Sequence, residues 1–335
     1  MYATGTPDLM SNLRSARLLA QVQTDFARAS EEVTTGRKAD VIEASGGDPI
    51  KLYALERELA LNAERAISID VAIGRIGATQ TALERLQNAT GTVGVRLAAA
   101  VSIGDVASAE QEAGAARGAF EEAVSALNTR FGDRMLFSGA ATDGAALAPG
   151  DEILAQIAAR VAPATDAAGA IAAVDDYFSD PAGFAATGYL GSLTDAAAAE
   201  VETGQRVDFA LRADREEIVQ ALTALALGVI GVEGGYPGAT NENRMIVMGE
   251  AAQRGLSAID EVVSLRGEIG IAEARLETAK IRISSERTFL QESRNAVIAK
   301  DPFEAAVAFT SLETQLETIL SVTARLSSLN LTNFL

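Results

Sequence analysis

The chain contains no cysteine, no histidine and no tryptophan. The first absence removes disulfides, zinc–thiolate centres and thiol chemistry, and leaves the redox compartment open. The second removes imidazole acid–base catalysis, serine–histidine triads and histidine-ligated metals. Aromatic residues make up only 5% of the chain, while alanine is abundant. Alanine-rich seams let helices approach closely and suit long, thin bundles better than a thick globular core. Carboxylate pairs are what remains for acid–base work. Asp175-Asp176 and Glu216-Glu217 are adjacent in sequence, which on a helix points them in different directions, so solvated helix faces explain them. Thr34-Thr35-Gly36-Arg37-Lys38 lacks the spacing of a phosphate loop and follows a helix, so it reads as a helix end. Met245 and Met248 read as core residues, and Asp48 and Asp301 as helix caps rather than calcium ligands. No residue is assigned a catalytic, cofactor-binding or metal-binding role, and neither a cofactor nor an enzymatic reaction is expected.

Positive charge is also in short supply. Lysine and arginine total 28 against 46 aspartates and glutamates, for a net charge of −18. Such a surface is soluble and poorly suited to nucleic acid or to an anionic membrane. Long apolar runs are missing too. Ala221–Gly231 is the most apolar stretch, and it is too short to span a bilayer. Met1–Ser30 has no basic segment followed by an apolar one, so no cleavable secretory signal is expected.

What the sequence does have is a period of 3.5. Leu19, Val22, Phe26, Ala29 and Val33 alternate spacings of three and four and run into Gly36, a helix C-cap. Ala305, Phe309, Leu312, Leu316, Ile319, Thr323 and Leu326 do the same after a helix start at Asp301-Pro302, with Glu304 at the capping-box position. Leu329, Leu331, Phe334 and Leu335 continue this apolar character to the last residue, so this end is expected to be buried against a partner. Leu52, Leu55, Leu59, Ile69, Ile73, Ile76 and Leu83 mark a long helix running from Asp48-Pro49 to about Ala100. Gly255, Val262, Ile269, Leu276, Ile283, Leu290 and Val297 form a column of sevens in another helix, spanning Asn241–Lys300. Helices with this period lie along other helices.

Between them the pattern changes. A third helix is expected over Asp105–Arg130, with Val106, Ala113, Phe120, Val124, Leu127 and Phe131 on its buried side. Met135-Leu136-Phe137-Ser138-Gly139 reads as a strand or extended link. Pro149, Pro163 and Pro181 fall in the middle third. Short helices are expected at Glu152–Val161 and Ala167–Phe178, then a hairpin pairing Ala198–Glu202 with Arg206–Leu211 across Thr203-Gly204, then a helix over Asp214–Leu227. The expected fold is mainly α: a long antiparallel helical bundle or rod built from both chain ends, with a smaller α+β domain inserted in the middle. The expected boundaries are 1–140 and 236–335 for the two halves of the rod, and 141–235 for a looser, outward-facing insert. The assembly interface is expected at Leu19, Val22, Phe26, Val33, Phe309, Leu312, Leu316, Ile319, Leu326, Leu329, Leu331, Phe334 and Leu335.

Several of these segments resemble the bacterial flagellins and their relatives. Val33-Thr34-Thr35-Gly36-Arg37-Lys38 is similar to that family's STG[KR] segment, and Gly47-Asp48-Pro49 to its DDP, with glycine replacing the first aspartate. Asp301-Pro302-Phe303-Glu304-Ala305-Ala306 and the ending Ser328-Leu329-Asn330-Leu331-Thr332-Asn333-Phe334-Leu335 resemble its C-terminal helix. Met135–Asp143 resembles the LFSGTKTD segment of the branch found at the hook–filament junction, and the ending resembles that branch's LSLLNYL type. The resemblance covers roughly residues 1–140 and 240–335. It implies a structural flagellar subunit, exported unfolded by the type III apparatus, lying between a hook-associated protein at the hook end and flagellin at the filament end. Its implied partners are those two, copies of itself and an export chaperone, and its implied location is extracellular. Three other readings compete: flagellin itself, an intracellular coiled-coil adaptor, and a hydrolase carried in the middle region.

Overall fold

A computed structural model describes residues 6–44, 49–104, 113–202 and 204–332. These residues are mainly helical: α1 (Thr6–Thr35), α2 (Val41–Ala44), α3 (Ile50–Ile103), α4 (Ala113–Leu127), α5 (Gly150–Val161), α6 (Ala167–Ser179), α7 (Glu216–Glu233), α8 (Asn241–Ile298) and α9 (Pro302–Thr332). Two antiparallel hairpins of very short strands interrupt them. One pairs β1 (Arg130–Phe131) with β2 (Arg134–Met135), and the other pairs β3 (Ala199–Glu202) with β4 (Gln205–Val207). The expected mainly α fold of long helices with a small β part is found. The second hairpin's return strand stops at Val207 rather than Leu211, and Asp48, Val106 and Thr203 lie outside the described residues.

The chain divides into two compact units, residues 1–63 with 284–335 and residues 64–283. These are not the boundaries at 141 and 235 that the sequence suggested. Helices α3 and α8 each have residues in both units.

In the unit of residues 64–283, α3 and α8 run antiparallel along their seams. Ile69, Ile76, Leu83 and Leu97 of α3 are buried, as are Val262, Ile269, Leu276 and Ile283 of α8. Ala258, Leu265, Ala272 and Ala279 fill the intervening turns, so the two positions of a heptad are both occupied. The backbones come closest where Gly94 meets Gly255. A side chain on Gly255 would stand 3.4 Å from the Gly94 Cα, so these two glycines set the spacing of the helices. Polar ties flank the seam: Gln80 Nε2 donates to the Arg266 carbonyl at 2.9 Å, and Lys280 pairs with Asp70 at 2.9 Å.

The middle third does not close on itself, which is why the boundary moves. Helix α7 is apolar all round, and from Ile218 to Val232 nearly every side chain is buried. A helix of that kind needs cover on every side. It packs on α4 and α6, and at Gly231 it lies against Val247 and Met248 of α8. One continuous core therefore runs from Ile69 to Ile283 and takes in α5, α6 and α7. Glu261, outside that core, is a half-buried carboxylate. Burial, with Glu216 and Glu217 nearby, holds its carboxyl above the usual range.

The segment 135–143 is a knot in this unit. Phe137 is fully buried, its carbonyl accepts from Ala213 N at 2.9 Å, and the Ser138 carbonyl accepts from Ser192 N at 2.9 Å. Gly139 has a φ of 62°, and a Cβ there would stand 2.5 Å from the Ser192 carbonyl oxygen. Only glycine fits. Arg212 gathers the neighbouring loops through Asp214 at 2.8 Å, Asp195 at 3.2 Å and the Leu193 carbonyl. Tyr189 donates to the Ser192 carbonyl at 2.8 Å, and burial together with Asp214 pushes its hydroxyl up to about 12.

Candidate assembly interface

The unit formed by residues 1–63 and 284–335 is built around α1 and α9. Helix α1 ends at Gly36, whose φ is 66° and whose N–H donates to the Glu32 carbonyl at 2.9 Å. This is the left-handed cap the sequence indicated. Helix α9 starts where Asp301 Oδ1 accepts from Phe303 N at 2.8 Å and Glu304 N at 3.3 Å. Glu304 does not return the bond as a capping box would; it turns to Lys300 at 3.6 Å.

The two ends meet at a joint of extended backbone. Arg37 pairs with Ala299 in an antiparallel bridge, Lys38 N donates to the Ile298 carbonyl at 2.8 Å, and Lys300 N donates to the Gly36 carbonyl at 3.1 Å. Glu32 Oε1 accepts from Ala39 N at 3.0 Å and holds the loop in place. The chain reaches this joint through α1 and leaves it through α9, so the helices run antiparallel. Their seams face each other, with the rings of Phe26 and Phe309 at 4.9 Å. Nothing in the periodicity pointed to the joint itself, although both segments that form it stood out as motifs.

The seams are only partly covered. Val22, Ala29 and Ala305 are buried, while Leu19, Phe26, Phe309, Leu312, Leu316 and Ile319 are half-buried. Val33 is 45% exposed, and Thr323 is exposed. The side chains of Leu326, Leu329 and Leu331, and all of Phe334 and Leu335, lie outside the described residues. Large apolar side chains also stand on the outer faces: Leu13 and Leu18 of α1, and Val307, Leu320, Val322 and Phe303 of α9, the last 78% exposed. Two helices bury one stripe of each and leave the rest to water or to another molecule. The arrangement can pack against further helices. Among the described residues no cluster of acidic residues is arranged to hold a metal ion, and no helix is long and apolar enough to cross a membrane.

Comparison with known proteins follows the same residues. Residues 256–335 match the family model of the bacterial flagellin C-terminal helical region. Over that stretch the chain is flagellin-like. The matched residues hold α8 from Leu256 onward, the joint at Ala299–Asp301 and all of α9. The resemblance to the flagellin family carried by Asp301–Ala306 and the C-terminal segment is therefore shown there. A solved structure from Vibrio parahaemolyticus, described as that of a "putative flagellar hook-associated protein", is similar at 16% identity with a TM-score of 0.48, covering 74% of this chain and 96% of that one. None of the curated proteins matches the chain.

Proposed function

We propose that this flagellin-like chain is a structural, non-enzymatic subunit of the bacterial flagellum that joins the hook to the filament. The observation that carries this reading is the α1–α9 pair, a helical seam that its own unit covers only in part and whose α9 lies in the residues that match the flagellin C-terminal region. Side by side in a tube, copies would lay the outer faces of these helices against one another. Burying Phe303, Val307, Leu320 and Val322 in this way contributes roughly 1.5–3 kcal/mol each before the entropy of ordering is subtracted. Residues 64–283 hold a core of their own. The partners on this reading are a hook-associated protein at one end, flagellin at the other, further copies of the chain and an export chaperone. The location is extracellular.

The 135–143 segment, which resembles that of the junction branch, favours the junction. The match to the flagellin C-terminal region is equally consistent with a filament subunit. Immunolocalisation on flagellated cells separates the two. A single spot at the base of each filament supports the junction, label along the whole filament makes the chain a flagellin, and label inside the cell removes both.

A further inference from the structure

The unit of residues 64–283 carries a groove of its own. Between the β3–β4 hairpin and α8 lies an open groove of about 700 Å³, lined among others by Arg206, Ile271, Arg275, Thr278 and Arg282. Arg275 and Arg282 are seven residues apart, two turns along one face of α8. Arg206 reaches the same groove from β4 and stands opposite Glu200 in the hairpin register. Arg206 and Arg275 form no ion pair among the described residues, whereas Arg85, Arg117, Arg160, Arg212, Arg215, Arg254 and Arg266 of this unit are paired with carboxylates. Ile271, 58% exposed, gives the groove an apolar element. Three guanidinium groups thus bracket an apolar trough in a chain whose net charge is −18.

The complementary surface is in the same unit. Glu121 of α4 packs beside Gly150, next to Asp151 and Glu152 of the first turn of α5. Arg117, one turn before Glu121 on α4, is already held by Glu233 at 2.7 and 2.9 Å. Asp151 and Glu152 suit their own helix N-terminus, but with Glu121 they also form an exposed acidic ledge.

We infer that the Arg206–Arg275–Arg282 groove of one copy receives the Glu121–Asp151–Glu152 ledge of a second copy. Groove against groove would set arginines against arginines, so the groove pairs with the ledge and not with itself; used once per contact, head-to-tail, such a pair generates rings or helical arrays. The inference rests on the proposed function only in that copies of the chain meet side by side.

The absence of cysteine makes the test direct. One full-length variant carries Ala274→Cys at the groove, and another carries Ala155→Cys beside the ledge. They are mixed and oxidised, after melting curves have shown both to be folded. The mixed disulfide should form about tenfold faster than either homodimer, and high salt should slow it. Adding Arg206→Glu and Arg275→Glu to the first copy should abolish the preference, and Glu121→Arg with Asp151→Arg in the second should restore it. Where a reversal variant melts early, Arg206→Gln with Arg275→Gln takes its place and should weaken the preference. A mixed disulfide no faster than the homodimers, or one indifferent to these changes, overturns the inference. Such a failure leaves the junction reading standing, because that reading is decided by where the protein sits on the flagellum.

Discussion

The two units of this chain use the same heptad alphabet and arrive at different degrees of closure. In residues 64–283 the seams of α3 and α8 meet each other and are covered further by α4 to α7, so that Ile69, Leu83, Leu222 and Leu276 lose all contact with water. In residues 1–63 and 284–335 the buried apolar side chains described are Val22, Ala29, Leu52, Leu290, Ile298 and Ala305. Even the α3–α8 seam becomes polar there: Asn62, only 1% exposed, donates to Glu286 at 3.3 Å where the other unit would place two aliphatic residues. A polar pair at a seam position favours one register at the expense of stability. One unit is a finished core; the other leaves its seam partly uncovered.

The largest effect expected from breaking this contrast lies in the finished core. Leu222→Ala removes a fully buried side chain from α7 and should cost about 2–5 kcal/mol, read as a lower midpoint in denaturant unfolding. The equivalent truncation in the terminal pair, Leu312→Ala, starts from a half-buried side chain and should cost well under half of that. Equal losses at the two sites would erase the distinction.

Gly139→Ala comes next. The positive φ and the clash with the Ser192 carbonyl should together cost about 1–3 kcal/mol. Hydrogen exchange of this variant should loosen amides around 189–194 and 212–213 before those of α1. Loosening of α1 first would show the knot to serve the terminal unit instead.

A smaller effect, of opposite sign, is expected at Glu261. Its carboxyl titrates higher in the folded chain than in the unfolded one. Its contribution is therefore fully present below the unfolded value of about 4.3 and is lost as pH rises through the folded value. At neutral pH the charged carboxylate is a liability, so Glu261→Gln should raise stability there by no more than about 1 kcal/mol after screening by water. The gain should shrink on acidification toward pH 4. A variant that is less stable than the parent at pH 7 would contradict the sign.

The smallest effect on the isolated chain is expected at the outer face of α9. Phe303→Ser exposes nothing that was covered, so the melting of the purified protein should shift by less than about 0.5 kcal/mol. Assembly on cells should nonetheless fail, seen as bald hooks with flagellin released to the medium. Normal filaments would mean that this face has no neighbour.

How much of this was legible beforehand follows from what each feature depends on. The long helices could be read because Val262, Ile269, Leu276 and Ile283 keep a period that only another helix satisfies. The ends of α1 and α9 could be read because Gly36 and Asp301 are caps whose chemistry is local. The unit boundary could not, since α7 is equally apolar on every face and its sequence does not say which helices will cover it. The shortened return strand was missed for a related reason: Phe209 and Leu211 alternate like strand residues but pack without a ladder partner described for them. The arginine groove was missed because Arg206 and Arg275 are 69 positions apart and only the fold brings the hairpin onto α8.

Hydrogen exchange on the purified chain and on isolated flagella tests the central claim most directly. With the chain alone, amides of α1 and α9 should exchange far faster than those of α7 and of α3 beyond Glu64, because little burial holds the terminal pair closed. In isolated flagella the same α1 and α9 amides should become as slow as those of α7. Terminal helices already protected to the level of α7 in the purified chain would contradict an interface completed only on assembly.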